Sequence, residues 1–177
     1  SLDLFVGSHG SYGVAPRAFK NIGTKSAPKW SEQSSWTNTI FFPSYGLEFS
    51  PALADIDNDS DLDLLIGIDE GGLNGYSFFY QNLAADLGDL STPVWQRWGI
   101  PADSLNNPIL ATGDLNGDSF PDLLIGEYDG YIYAFRNVQY TIGGKTLTAW
   151  TRESSWDPGI DFGYNAAPAL GDLDNDG

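Results

Sequence analysis

The chain has 177 residues, with 24 Asp plus Glu against 8 Lys plus Arg and a formal charge of −16. A surface this acidic repels nucleic-acid phosphates and anionic membranes, and no apolar run nears the roughly 20 residues that span a bilayer, so nucleic-acid partners and membrane insertion are set aside. Cys and Met are absent and His9 is the single histidine, which excludes disulfides and zinc–thiolate sites and leaves little for histidine-based catalysis.

In chain order, Ser1-Leu-Asp3-Leu-Phe-Val-Gly7 comes first, then a connection over Ser8–Gly13. The start at Ser1, without a leader pattern, reads as a mature, excised or partial polypeptide. Trp30-Ser-Glu-Gln-Ser-Ser-Trp36 follows. The next stretch is the best defined. Strands are predicted at Pro51–Asp55, Leu62–Ile68, Tyr76–Gln81 and Pro93–Trp98, from their length, aromatic and β-branched content, and Gly, Pro, Asn and Asp boundaries. The first two flank the acidic run Asp55-Ile-Asp57-Asn-Asp59-Ser-Asp61-Leu-Asp63, and Asp69–Gly75 joins the second to the third.

Fifty-nine residues on, Asp114-Leu-Asn116-Gly-Asp118-Ser-Phe120-Pro-Asp122-Leu-Leu-Ile-Gly126 repeats Asp55–Gly67. Asp129-Gly130 then predicts a two-residue hairpin turn. Trp150-Thr-Arg-Glu-Ser-Ser-Trp156 repeats Trp30–Trp36, with a shorter Trp95-Gln-Arg-Trp98 between them. Asn21, Asn82 and Asn137 each close an aromatic-rich segment. Pro168-Ala-Leu-Gly171 repeats Pro51–Ala54, and Asp172-Leu-Asp174-Asn-Asp176-Gly177 begins a third acidic copy whose second half is Ser1–Gly7. No amphipathic helix of three turns is predicted.

The chain is therefore one repeat array over 1–177, with units 1–60, 61–119 and 120–177. Repeated four-stranded units of this size predict an all-β fold of β-propeller blades, each with its acidic loop between the first and second strands. A β-solenoid or a string of small β-modules is the alternative. Three such blades do not close a propeller, so either further blades lie in a larger protein or copies of the chain complete one another.

The acidic loop places oxygen donors at positions 1, 3, 5 and 9, and a backbone carbonyl at position 7 adds another. Calcium takes about six to eight hard oxygen ligands, whereas magnesium prefers a small octahedral shell that keeps its water. An EF-hand needs a bidentate Glu at position 12 and flanking helices. Here position 12 is Ile66, Ile125 and Val6, and strand follows.

These residues, with Asp-Leu-Leu-Ile-Gly after the loop and Pro-Ala-Leu before it, resemble the FG-GAP/VCBS repeat family of calcium-binding blades, also found in integrin α-subunit propellers. The resemblance covers the whole chain and implies about one calcium ion per repeat, held in the loop. By position it assigns Asp55, Asp57, Asp59, Asp63 and the Asp61 carbonyl to the first site. The second takes Asp114, Asn116, Asp118, Asp122 and the Phe120 carbonyl. The third takes Asp172, Asp174 and Asp176, completed by Asp3 and the Ser1 carbonyl from another copy or a closed ring. The family's frequent Gly at position 6 is here Ser60 and Ser119, with backbone strain expected wherever φ is positive.

The tryptophans are expected to pack between sheets, with sugar stacking as the alternative. Tyr12, Tyr76, Tyr128 and Tyr131 are expected near the loops after the second strands, as contact residues. Asp69, Glu70 and Glu127 read as solvated carboxylates rather than an acid–base pair, His9 as a surface residue, and the Asn58-Asp-Ser60 sequon as blocked by its loop. Because the same site recurs in every unit, the sequence predicts no catalytic residues and an extracellular or cell-surface module for adhesion, binding or structural assembly. Its expected partners are a glycan or protein ligand. The alternatives are a ring or filament joined head-to-tail through the split third motif, and a lectin-like or polysaccharide-lyase propeller.

Overall fold

A computed structural model describes residues 2–8, 15–40, 48–71, 75–100 and 105–174. His9, Tyr12, Ser1 and Asp176 lie outside the described residues. The described chain is all-β, in three antiparallel sheets with strands in chain order. The first sheet holds β1 (Leu4–Val6), β2 (Arg17–Asn21) and β3 (Trp30–Glu32). The second holds β4 (Glu48–Ala54), β5 (Asp63–Asp69), β6 (Gly75–Asn82) and β7 (Trp95–Gly99). The third holds β8 (Ile109–Gly113), β9 (Asp122–Gly126), β10 (Ile132–Ile142) and β11 (Lys145–Arg152). Short 3₁₀ turns at Ser34–Trp36 and Ser154–Trp156 are the helical elements among the described residues.

Two of the sheets have the four strands expected of a blade. The first sheet departs from it, with three strands among the described residues. Pro168–Gly171 repeats the Pro-Ala-Leu of β4 but joins no strand.

The middle strand β5 shows why the sheets stack. Leu64, Ile66 and Ile68 point to one face and pack with Phe49, Ile40 and Tyr80 against Phe5 of the first sheet. Leu65 points to the other and packs with Phe79 against Leu110, Leu123, Ile125 and Trp150 of the third. A strand buried on both faces reads as an unbroken apolar run rather than an alternation. Glycine then lets the main chains meet. A Cβ on Gly67 would lie 2.0 Å from the Pro108 carbonyl oxygen, one on Gly7 would lie 1.8 Å from that of Phe49, and one on Gly126 would lie 2.1 Å from that of Ala166.

Trp150 is buried and meets Phe79 of the neighbouring sheet edge-on, with ring centroids 6.3 Å apart. Trp95 donates its indole N–H to the Trp36 carbonyl, joining the second sheet to the first at 2.7 Å. Trp30 and Trp98 remain exposed, so packing between sheets accounts for only part of the set.

The hairpin at Asp129-Gly130 differs from expectation. Glu127 N–H donates to Tyr131 O at 3.1 Å and Gly130 N–H donates to Glu127 O at 3.1 Å, closing a three-residue loop. Of the pair, only Gly130 has positive φ, at 86°. A two-residue type I′ turn needs positive φ at both central residues, whereas a type I turn followed by a left-handed glycine needs it at one.

Candidate metal centre

The loop between β4 and β5 is shaped by its own carboxylates. Asp55 accepts the backbone N–H groups of Asp59 and Ser60, each at 3.0 Å. Asp59 accepts that of Asp61 at 3.0 Å. The tight winding needs left-handed backbone at Asn58 (φ 63°) and Ser60 (φ 78°), and Ser119 repeats it at 73°. The expected serine strain is therefore present in both loops.

Asp63 begins β5 and is fully buried. Its Oδ2 accepts Ile56 N–H at 2.8 Å, and its Oδ1 accepts Asn82 N–H at 2.7 Å. Asp57 is also buried, and its Oδ2 accepts the Gln81 amide at 2.6 Å. Ligand-type oxygens of Asp55, Asp57 and Asp63 lie within 4.8 Å of one another. Asp59 stays outside this trio. Asp61 brings its side chain to the buried side as well, with Oδ2 accepting Ala85 N–H at 2.8 Å. The second oxygens of Asp57 and Asp61, both Oδ1, are buried without a hydrogen-bond partner.

Burial, opposed by the amide donors, pushes the Asp63 carboxyl up to about 8. Burial first, then neighbouring aspartates, pushes Asp57 up to about 6. Burial, again opposed by an amide donor and joined by the other aspartates, pushes Asp61 up to about 6. The site is thus a buried carboxylate cluster that the amide donors offset only in part. A divalent cation would supply the rest of that compensation, and an all-oxygen donor set fits calcium.

The second loop repeats the scaffold with a different balance. Asp114 accepts four backbone N–H groups, from Asn116, Gly117, Asp118 and Ser119, and these hold its carboxyl below the usual range, Ser119 foremost. Asp118 accepts Phe120 N–H at 2.9 Å. Asp122 accepts Leu115 and Asn137 N–H, each at 2.9 Å. The Asn116 amide sits 3.2 Å from Asp122 Oδ2, so positions 3 and 9 of this loop meet. In the third copy, Asp172 and Asp174 line a groove beside Asp114. Asp3 directly precedes β1 of the first sheet and accepts Asn21 N–H at 2.8 Å. Among the described residues no carboxylate group joins Asp3 to Asp172 and Asp174.

Sequence reasoning passed over the supporting shell. Gln81 and Ala85 reach loop one from the end of β6 and just beyond it. Asn137 and Gln139 of the third sheet donate to the Ile56 carbonyl at 2.9 and 3.0 Å. The one available signal was the in-phase asparagine: Asn21, Asn82 and Asn137 each donate a backbone N–H to the aspartate that ends an acidic loop. Glu127, read as a solvated carboxylate, is buried, and its bond to the Tyr133 hydroxyl raises that phenol to about 12.

Residues 106–139 match the FG-GAP repeat family. Over 141 residues, 75% of this chain, the sequence is 29% identical to integrin alpha-7 of Mus musculus, covering 11% of that protein. Over 140 residues it is 28% identical to integrin alpha-7 of Rattus norvegicus, covering 12% of it. The Homo sapiens protein is 28% identical over 141 residues. The chain thus spans about a tenth of the length of these relatives. No solved structure matches it.

Proposed function

Taking the chain as an FG-GAP, integrin-alpha-like repeat protein, we propose that its sheets are blades of a calcium-stabilised β-propeller, serving as an extracellular, adhesion-type binding module without catalysis of its own. The observation that carries the calcium assignment is the Asp55–Asp57–Asp63 cluster, with the buried, partnerless Oδ1 of Asp57 in it. Loop one holds an ion through Asp55, Asp57, Asp59, Asp63 and the Asp61 carbonyl. Loop two uses Asp114, Asn116, Asp118, Asp122 and the Phe120 carbonyl, and the third copy uses Asp172, Asp174 and Asp176, completed by Asp3 and the Ser1 carbonyl from another copy or a closed ring. Such loops give about one ion per repeat. Binding free energy at a site formed only on folding adds to stability. Thermal melts in calcium and in EDTA test this: EDTA lowers the melting temperature and calcium restores it. An unchanged melt after full chelation overturns the assignment. The adhesion role is supported by the similarity to integrin alpha-7.

A second reading, self-assembly, is favoured by one observation. β1 is an edge strand of a three-stranded sheet, while Pro168–Gly171 shares the Pro-Ala-Leu of β4 and has no strand partner. An unpaired edge is a template for strand addition, and a second copy of the chain carries the matching segment Pro168–Gly171. Particle mass by light scattering checks it. A ring or filament that dissociates in EDTA supports a calcium-dependent joint, and a monomer in both conditions removes this reading.

A further inference from the structure

Loop two carries an Asn-Gly pair, Asn116-Gly117, where loop one has Asp57-Asn58. At such a pair the glycine nitrogen can attack the asparagine carboxamide, because no Cβ crowds the approach. Asn116 and Gly117 are both exposed, and a Cβ built on Gly117 meets nothing within 4 Å. Water therefore reaches this peptide freely. The chain has a second such pair, Asn74-Gly75. Its glycine is buried at the start of β6, in register with Asp69 on one side and bridged to Leu105 on the other.

Three contacts arrange Asn116 for this attack. Its Oδ1 accepts Asp118 N–H at 2.9 Å, which folds the carboxamide back over the Asn116–Gly117 peptide. The same N–H polarises the carbonyl and faces the oxygen on which negative charge develops when Cγ is attacked. Gly117 N–H donates to Asp114 Oδ1 at 2.7 Å. A carboxylate is a strong, charge-assisted acceptor and raises the electron density on that nitrogen. Asn116 Nδ2 lies 3.2 Å from Asp122 Oδ2, so the leaving nitrogen is held toward the start of β9. Nucleophile, electrophile and oxyanion donor thus sit in one turn, and holding reacting groups in a fixed geometry removes much of the entropic barrier to their meeting.

We propose that loop two promotes its own deamidation at Asn116. The Gly117 nitrogen bonds to Asn116 Cγ and gives up its proton. The Cγ–Nδ2 bond breaks, and Nδ2 takes up a proton and leaves as ammonia. A five-membered succinimide remains, and water opens it. Attack at Cγ restores the ordinary main chain with aspartate at position 116, and attack at the main-chain carbonyl leaves isoaspartate. The net change is one water in and one ammonia out, with no oxidant or reductant. The aspartate product gives loop two the carboxylate that Asp57 supplies in loop one. The isoaspartate product routes the main chain through Cγ and lengthens the loop by one carbon. The step does not rest on calcium in the loop.

The test incubates the whole chain at neutral pH, folded in dilute buffer and unfolded in guanidinium chloride. Peptide mapping by mass spectrometry reads conversion at Asn116 and Asn74, and isoaspartyl methylation counts the second product. We expect Asn116 to convert faster in the folded chain than in the unfolded one, and Asn74 to convert more slowly. Gly117→Asn sets at this position the residue type that holds φ 63° at Asn58 of loop one, so the turn is kept while a Cβ crowds the nitrogen. It is expected to slow conversion at Asn116 about tenfold, a barrier change of about 1.4 kcal/mol. Melting curves show that the variant is folded. Slower conversion of Asn116 in the folded chain than in the unfolded one means that the loop shields it, and overturns the proposal. Absence of conversion at Asn116, or folded-state conversion that Gly117→Asn leaves unchanged, overturns it equally.

Discussion

Asp63 and Asn82 are joined by a 2.7 Å hydrogen bond from the Asn82 backbone to the Asp63 carboxylate, and both are buried. The bond ties the acidic loop to the end of β6, so an event at the loop is felt on the third strand of the sheet. Asp3 with Asn21 and Asp122 with Asn137 are the same contact in the other two sheets.

Asp63→Asn tests this link together with the ion. The amide keeps the shape but removes the charge and sets an N–H₂ against one backbone donor. The expected result is loss of the stabilisation that calcium gives through loop one, with the contribution of loop two retained. Differential scanning calorimetry of Asp63→Asn, Asp122→Asn and the parent chain, each in calcium and EDTA, reads it. An unchanged calcium-induced shift in both variants contradicts it.

The pH dependence follows from the raised carboxyls. Without metal, Asp57 and Asp61 titrate at about 6 and Asp63 at about 8, each above its unfolded value near 4. A folded pKa raised above the unfolded one means that the native state holds the extra proton. That stability is present at low pH and lost as pH rises through the folded value. In EDTA the melting temperature is therefore expected to fall between about pH 5 and 8. In calcium the ion replaces the protons and the fall disappears. A melting temperature in EDTA that rises over the same range counts against the buried-anion account.

Gly67→Ala places a Cβ 2.0 Å from the Pro108 carbonyl oxygen, a main-chain atom that cannot rotate away. A loss of about 3 kcal/mol is expected, at the upper end of the usual overpacking cost. Gly99→Ala meets nothing within 4 Å and serves as the control. Urea unfolding of the two variants measures the contrast. Equal stability of both would mean that the sheets can move apart freely.

Ser60→Gly and Ser119→Gly address the strained turns. Both serines hold positive φ, at 78° and 73°. Glycine removes the left-handed penalty but loosens the unfolded chain, and the net gain is expected to be about 0.5–1 kcal/mol each. A measured loss in either variant would show that the serine side chain contributes more than its backbone strain costs.

The second sheet was largely legible in the sequence. Predicted strands at Leu62–Ile68 and Tyr76–Gln81 appear as Asp63–Asp69 and Gly75–Asn82, because a doubly buried strand needs a continuous apolar run and turn residues bound it. The acidic loops were legible because short side chains folding onto their own backbone leave a local pattern. The Asp129-Gly130 turn was misjudged in length, since one left-handed residue suffices where two were assumed. The donors from Asn137 and Gln139 to the Ile56 carbonyl span 81 and 83 positions and exist only once two sheets are stacked. The burial of the Asp61 side chain was likewise invisible, because the acceptor role at that position was given to its carbonyl and not to its carboxylate.

The glycines at the sheet joints have a mechanical consequence. At Gly7 and Gly67 the main chain rests on a carbonyl in or directly beside the next sheet, and at Gly126 on that of Ala166, which is in no strand, so the spacing is gauged by backbone and not by side-chain size. Close-packed interiors compress little, and main-chain stops of this kind give the stack a fixed pitch. The loops at its two ends are then free to vary in sequence without shifting the frame. Whatever a loop grips at one rim is held in constant register with the acidic loops at the other.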